Sequence, residues 1–373
     1  MSSCIHKNVC SGCPWIDFSA QEQKNRKISV LSESLLRTQI HFQGEIRHHL
    51  PGEFFLRDRA DLTYENGKYG FYQKDSRAIF AVKSCPQMSP ALQNLFDQLI
   101  QISLPIKKGS LRLRVSAAED SDSRQKNGLW LDFANEDVKN LFEEKVTLHR
   151  LMELGHVEVG QRRKSLIFNE AQGRFQLLES QYHPWTQTWQ GATVIPLYSL
   201  VGSFTQTGNT ANQALVMTME DLLTRTTAQR WVEFGCGNGN LTLPLAGSNR
   251  QVLGVEFDEA SLEGLKRTLS SRTDLQNRIS LQSGDFQKKK SLDFSTLEGI
   301  LVNPPRSGLG HFLEPLVGIE RKPQDLIYMS CFMDSFIKDG IQIQSLGYQL
   351  KELVIVDQFP QTPHFEILSR WKI

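Results

Sequence analysis

Two rhythms of apolar and polar positions divide the chain. From about Glu53 to Gln187, short segments alternate apolar with polar residues: Asp61–Tyr64, Lys68–Tyr72, Leu111–Ser116, Gly128–Phe133, Ser165–Asn169 and Arg174–Glu179. Gly, Asn and Asp punctuate them. A period of two between turn residues predicts strands with one face on a core, hence an antiparallel sheet with a few helices. From about Thr205 the rhythm changes. Apolar runs at Trp231–Phe234, Gln251–Phe257, Ile279–Gln282, Gly299–Val302, Leu326–Cys331, Tyr348–Phe359 and His364–Trp371 alternate with helical stretches such as Thr210–Arg225, Leu241–Ala246 and Ala260–Ser271. Strands apolar on both faces, separated by helices, predict a parallel doubly wound sheet. The last two runs, joined by a Pro-containing turn, predict a hairpin on its edge. Ser19–Thr38 predicts an amphipathic helix with Ser19 as N-cap and Ile28, Leu31, Leu35 and Leu36 on the packing face.

Composition narrows the class. With 373 residues the chain has room for two or three domains. A formal net charge of +1 excludes a protein held on nucleic acid by bulk charge. It leaves room for a local basic face, at Arg57 and Arg59, Lys107 to Arg114, Arg162 to Lys164, or Lys288 to Lys290. No stretch predicts a membrane span, and Met1 to Pro14 lacks the pattern of a signal peptide. The expected compartment is the cytoplasm, where thiols stay reduced, so the six cysteines read first as ligands or catalysts.

Candidate chemistry gathers at predicted strand ends. Trp231-Val-Glu-Phe-Gly-Cys-Gly-Asn-Gly-Asn240 runs a strand into a turn with glycines at 235, 237 and 239. Asn240 stands where a dinucleotide fingerprint needs its third glycine, so no pyrophosphate is implied. Glu256 ends the next strand, where a carboxylate can bind ribose hydroxyls, and Asp285 follows the third, within reach of an adenine. Together they read as an adenosine site without a diphosphate, as S-adenosylmethionine requires. After the fourth strand, Pro304 and Pro305 fix the backbone and hold Asn303 at the carboxyl edge of the sheet. Cys331 ends the fifth strand, where a thiol can serve as a nucleophile or simply pack. Glu366 follows the hairpin turn; near its ordinary pKa it would be an ionised base at pH 7. Cys4, Cys10, Cys13 and the distant Cys85 form a thiolate set that suits either zinc or an iron–sulfur cluster.

The glycine turn, Asn303-Pro-Pro-Arg306, Ser330-Cys331 and Phe359-Pro-Gln-Thr-Pro-His-Phe-Glu366, in this order and spacing, resemble the RNA uracil-C5 methyltransferases. Ser203-Phe-Thr-Gln206 is similar to a further segment of that family. The resemblance implies a Rossmann-like class I methyltransferase domain over 196–373, a helix packed on it over 16–49, and an α+β central RNA-binding domain over 1–15 and 50–195. It implies Cys331 as the nucleophile at C6 of uracil and Glu366 as the base that removes the C5 proton. Gln206, Gly235, Asn240, Glu256, Asp285 and Asn303 would bind the cofactor S-adenosylmethionine and line the target pocket. Cys4, Cys10, Cys13 and Cys85 would hold a [4Fe–4S] cluster. RNA is the expected partner, rRNA ahead of tRNA, with no membrane and no obligate protein partner. Two positions depart from the family: Asn303 stands where Asp is usual, and Phe332-Met333 where Asn-Pro is usual. An amide accepts or donates, so a cytidine target stays open. The competing readings are amino-group methylation, which needs no cysteine, and a non-catalytic RNA-binding protein.

Overall fold

The computed structural model describes residues 4–117, 126–133, 139–160, 164–285 and 293–373. Phe286, Arg162, Arg163 and Lys288 to Lys290 fall outside these residues. The chain forms two compact units, one of residues 1–16, 54–187 and 198–209, the other of 17–53, 188–197 and 210–373. The chain crosses between them within the hairpin His183–Gln190 and Thr193–Ser199. Among the described residues no helix is long and apolar enough to span a membrane.

The first unit is built on an eight-stranded sheet, ordered 79–81, 68–72, 59–65, 108–115, 127–132, 156–159, 164–169, 174–179. Every neighbouring pair is antiparallel except Asn127–Asp132 with His156–Val159, which run parallel. Helix Lys145–Leu154 makes that crossover, as a parallel pair demands. Leu62, Leu111, Leu113, Leu129 and Leu131 point into one core with Leu92, Phe96, Leu148 and Leu151 of the helices.

One sequence expectation changes here. Arg59 and Arg114 are not a phosphate-binding surface. Arg114 is buried and donates to the carbonyls of Leu200 and Ser203 and to the Thr205 hydroxyl; Arg59 donates to the Thr205 carbonyl. Arg112 reaches the Gly202 carbonyl and Asp61. Backbone carbonyls of 200–205 take much of the hydrogen bonding of these guanidiniums.

The second unit carries an eight-stranded sheet ordered 46–49, 349–356, 366–372, 325–330, 299–302, 230–234, 251–256, 279–283. Strands 230–234, 251–256, 279–283, 299–302 and 325–330 are mutually parallel where they pair. Strand Glu366–Lys372 inserts antiparallel between Asp325–Ser330 and Gln349–Val356. The expected hairpin is therefore present but does not form the edge: Ile46–His49 pairs parallel to Gln349–Val356 and takes that place. Apolar layers cover both faces, Leu215, Met219, Leu243 and Leu265 on one, Leu31, Phe234, Tyr328, Phe336 and Trp371 on the other. All of Gly299–Val302 and Asp325–Ser330 is buried in consequence.

Helix Ala20–Arg37 begins at Ser19 with a capping box, the Ser19 hydroxyl accepting from Glu22 N–H and the Glu22 carboxylate accepting from Ser19 N–H. Its buried face is Gln23, Lys27, Leu31, Ser34 and Leu35. Leu36, expected on that face, is 80% exposed. Two polar residues replace it because their partners are buried with them.

Candidate active site

The carboxyl edge of the second unit's sheet assembles the chemistry. Strand Arg230–Phe234 enters the glycine turn, where Gly235, Gly237 and Gly239 have φ of +74°, +55° and +93°. A side chain is doubly excluded at Gly235, because a Cβ there would lie 3.3 Å from the Asn303 carbonyl. The Asn303 N–H points back at the Phe234 carbonyl, 3.5 Å away. The Asn303-Pro-Pro segment is thus seated on the turn.

Glu256, at the end of the adjacent strand, accepts from the N–H groups of Gly237, Phe257 and Asp258 at 2.8–2.9 Å. It ties the glycine turn to the start of helix Glu259–Ser270 and keeps lone pairs for a ligand. Asp285 follows strand Ile279–Ser283, half-buried. Asn240 ends the glycine turn and is anchored to a neighbouring helix. Its side-chain amide makes a reciprocal pair with that of Asn212, at 2.7 and 2.8 Å, and so is committed to helix Asn209–Leu223. Gln206 lies in the first unit, its carbonyl accepting from the Thr205 hydroxyl.

The sheet register brings Cys331 and Glu366 together. Ser330 pairs with Ile367 at the end of the antiparallel ladder. One further step of that register sets Cys331 against Glu366. Glu366 is 6% exposed, and burial pushes its carboxyl up to about 7, opposed by the positive charge of Arg306. The expectation of an ordinary carboxylate is corrected: removing the group from water penalises its ionised form. Burial also raises the Cys331 thiol, and the neighbouring Glu366 charge raises it further; the Arg306 charge and hydrogen bond act the other way. Glu366 ionises first, so the thiol faces a carboxylate.

Arg306 and Asp339 were missed in the sequence reading. Arg306 follows the two prolines and reaches both reactive groups; its place in Asn-Pro-Pro-Arg was the available signal. Buried Asp339, on helix Met333–Ser345, accepts from Leu309 N–H at 2.9 Å and from the Tyr328 hydroxyl at 2.6 Å. A Cβ at Gly308 would fall 2.5 Å from its carboxylate. The loop carrying Arg306 is pinned there. Glu233, beneath the glycine turn, is also buried and pushed up to about 8, chiefly by burial.

In the first unit, Cys4, Cys10, Cys13 and Cys85 are free and half-buried. Burial pushes Cys13 up to about 12, and Cys85, Cys10 and Cys4 each raise it further. Cys4 likewise raises Cys10 and Cys85. The raised thiols of Cys10, Cys13 and Cys85 would become thiolates most readily with a cation among them. Among the described residues no group of three His, Cys, Asp or Glu side chains is gathered for a single metal ion. Zn–S bonds of about 2.3 Å would bring tetrahedral ligand sulfurs to roughly 3.8 Å of one another.

Residues 195–369 match the family described as tRNA (Uracil-5-)-methyltransferase. Over 372 residues the chain is 39% identical to RNA methyltransferase Bd2056 of Bdellovibrio bacteriovorus, covering 98% of this chain and 94% of that one. It is 25% identical over 373 residues to the 23S rRNA (uracil(1939)-C(5))-methyltransferase RlmD of a Marinomonas species, covering 98% and 79%. The tRNA (uracil-54, C5)-methyltransferase of Pyrococcus abyssi, solved with S-adenosyl-L-homocysteine, shares the fold with a TM-score of 0.67 at 18% identity, over 97% of this chain and 86% of that one. The chain belongs to the RNA uracil-C5 methyltransferase family and is an S-adenosylmethionine-dependent methyltransferase of that family.

Proposed function

We propose that the protein methylates C5 of a uridine in RNA, with rRNA the favoured substrate, through a covalent enzyme–RNA adduct. The observation that carries this reading is the pairing of a thiol with a buried, raised carboxyl at one strand register, with Arg306 beside both. S-adenosylmethionine supplies an electrophilic methyl on a sulfonium. C5 of uracil is too weak a nucleophile to take it unaided. Cys331 Sγ adds to C6, and the C5–C6 π electrons move into the C4–O4 enolate. Arg306 offsets the negative charge in the free enzyme's site. C5 then takes the methyl and the sulfonium departs as a neutral thioether. Glu366 removes the C5 proton; those electrons re-form C5–C6, and the Cys331–C6 bond breaks to return the thiolate. The base must leave its stack to reach this edge.

Gly235, Glu256, Asp285 and Asn303 are the residues proposed to face S-adenosylmethionine and the target, with the Asn303 amide toward the N3 edge of the base. Cys4, Cys10, Cys13 and Cys85 are proposed to hold a [4Fe–4S] cluster, whose several irons spread their ligands farther apart than one zinc would. Its role there is to brace the N-terminal segment against the Cys85 loop. The rRNA preference rests on the likeness to the Marinomonas enzyme along nearly the whole chain.

Incubation with 5-fluorouridine-substituted rRNA and S-adenosylmethionine tests the reading. Fluorine at C5 cannot leave as a proton does, so a denaturant-stable RNA–protein complex is expected with the native protein and not with Cys331→Ala. Labelled methyl entering RNA without such a complex would instead point to direct amino-group methylation.

A further inference from the structure

Helix Ala20–Arg37 attaches to the sheet in an unusual way. Lys27 is fully buried, and its ammonium lies 2.7 and 2.8 Å from the two carboxylate oxygens of Asp357, itself buried. It also donates to the Phe359 carbonyl at 3.3 Å. His48 Nε2, from the edge strand, stands 3.5 Å from the same carboxylate. One helical turn earlier, Gln23 grips Gln361 twice. Its carbonyl accepts from the Gln361 N–H at 2.7 Å, and its amide donates to the Gln361 side-chain oxygen at 2.7 Å. The same amide donates to the Phe18 carbonyl. Gln361 is buried and left-handed, φ +68°. A side chain adopts that conformation only where its surroundings compel it.

These contacts fall on one short stretch, Asp357 to Gln361, which opens the turn leading to Glu366. Apolar residues of equal volume would hold a helix at least as firmly as a dry ion pair. What the polar contacts add is direction: two side chains at i and i+4 fix both the entry of the turn and its left-handed residue. We propose that Gln23 and Lys27 are positioning residues for proton removal, setting the turn so that Glu366 meets the C5 proton of the adduct. This rests on the covalent mechanism proposed above. The hydrogen bonds described for Gln23 and Lys27 fall on Phe18, Asp357, Phe359 and Gln361, so proton removal should be affected more than attack and methyl transfer.

The test is single turnover with rRNA and methyl-labelled S-adenosylmethionine, following denaturant-stable labelled adduct and released methylated RNA separately. Glu366→Gln provides the reference, since it should methylate and then stall as adduct. Gln23→Ala and the double replacement Lys27→Met with Asp357→Leu, which removes both charges of the pair together, are expected to accumulate the same adduct. Release should slow roughly ten- to hundredfold, the scale of a misplacement near 1 Å, while adduct forms at close to the native rate. If Glu366→Gln gives no adduct, the covalent reading falls and takes this inference with it. If Glu366→Gln stalls but both helix variants release product at the native rate, or lose adduct formation and release in equal proportion, the positioning role alone is overturned.

Discussion

Replacing Glu366 by Gln should stabilise the protein at alkaline pH and not at acid pH. Burial raises the carboxyl from 4.5 to about 7 in the folded chain. Below 4.5 both folded and unfolded states are protonated, and the residue costs nothing by ionising. As pH rises toward 7 the unfolded state releases its proton while the folded state keeps it, so stability falls. Above 7 both are ionised and the folded state bears the whole penalty. Each tenfold difference in proton affinity is worth about 1.4 kcal/mol, which makes that penalty roughly 3 kcal/mol at pH 8 and under about 1 kcal/mol at pH 5. Glutamine keeps the shape and has no charge to bury. The advantage of Glu366→Gln over the native protein should therefore grow by roughly 2–3 kcal/mol between pH 5 and pH 8. Urea titrations at both values, read by hydrogen exchange in strands 325–330 and 366–372, measure it. Equal stability differences at the two pH values would show that the carboxyl is not held as a buried acid. Stabilisation bought by losing the catalytic base is the trade expected of a functional site.

The same carboxyl predicts a pH–rate profile for single-turnover product release whose acid limb lies near pH 7; a limb near 4.5 would mean Glu366 is solvated during catalysis. Arg306→Leu removes the charge that favours ionised Glu366 and thiolate Cys331, so the limb should move to higher pH and the rate at pH 7 should drop about tenfold or more; an unchanged limb contradicts that role. Protein purified without oxygen should carry about four irons per chain, and Cys13→Ser should lose them, with iron and zinc analysis deciding between cluster and zinc. Asn303→Asp leaves only acceptors toward the base edge, so it should abolish any methylation of cytidine RNA while keeping that of uridine within about tenfold; cytidine methylation surviving the change would remove Asn303 from the base edge.

Much of this was legible in the chain, and the failures share a cause. The parallel strands announced themselves because burial on both faces leaves them apolar throughout, as in Gly299–Val302. The glycine turn was legible because its backbone conformations admit little else. Helix Ala20–Arg37 was found but its face was partly misread: Leu36 was counted inward and is exposed, whereas Lys27, one turn before Leu31 but passed over as polar, is buried by Asp357, 330 residues away. Arg59 and Arg114 read as a basic surface for the same reason, since their acceptors are carbonyls near residue 200. A pattern of polarity records how much a residue prefers water, not whether a distant partner replaces that water.

The meeting of Cys331 and Glu366, the proposed catalytic pair, follows from one topological fact. In a wholly parallel sheet, every strand presents its last residue at the carboxyl edge, and a final strand would bring its C-terminal end there. Here the last strand runs antiparallel between its neighbours, so its first residue, Glu366, arrives at that edge beside Cys331, the residue that follows Asp325–Ser330. The proposed nucleophile is held between the strand before it and the Phe332 cap of helix Met333–Ser345 after it, and the proposed base by the ladder after it and a turn before it. A ladder holds its first residue poorly, because pairing lies only ahead of it. The turn must supply the rest: within it the Thr362 hydroxyl donates to the Phe359 carbonyl and the His364 N–H to the Thr362 hydroxyl, while the N–H and side-chain oxygen of left-handed Gln361 are met by Gln23. That is the physical reason for a helix from the far end of the chain to spend two buried polar side chains on Asp357 and Gln361.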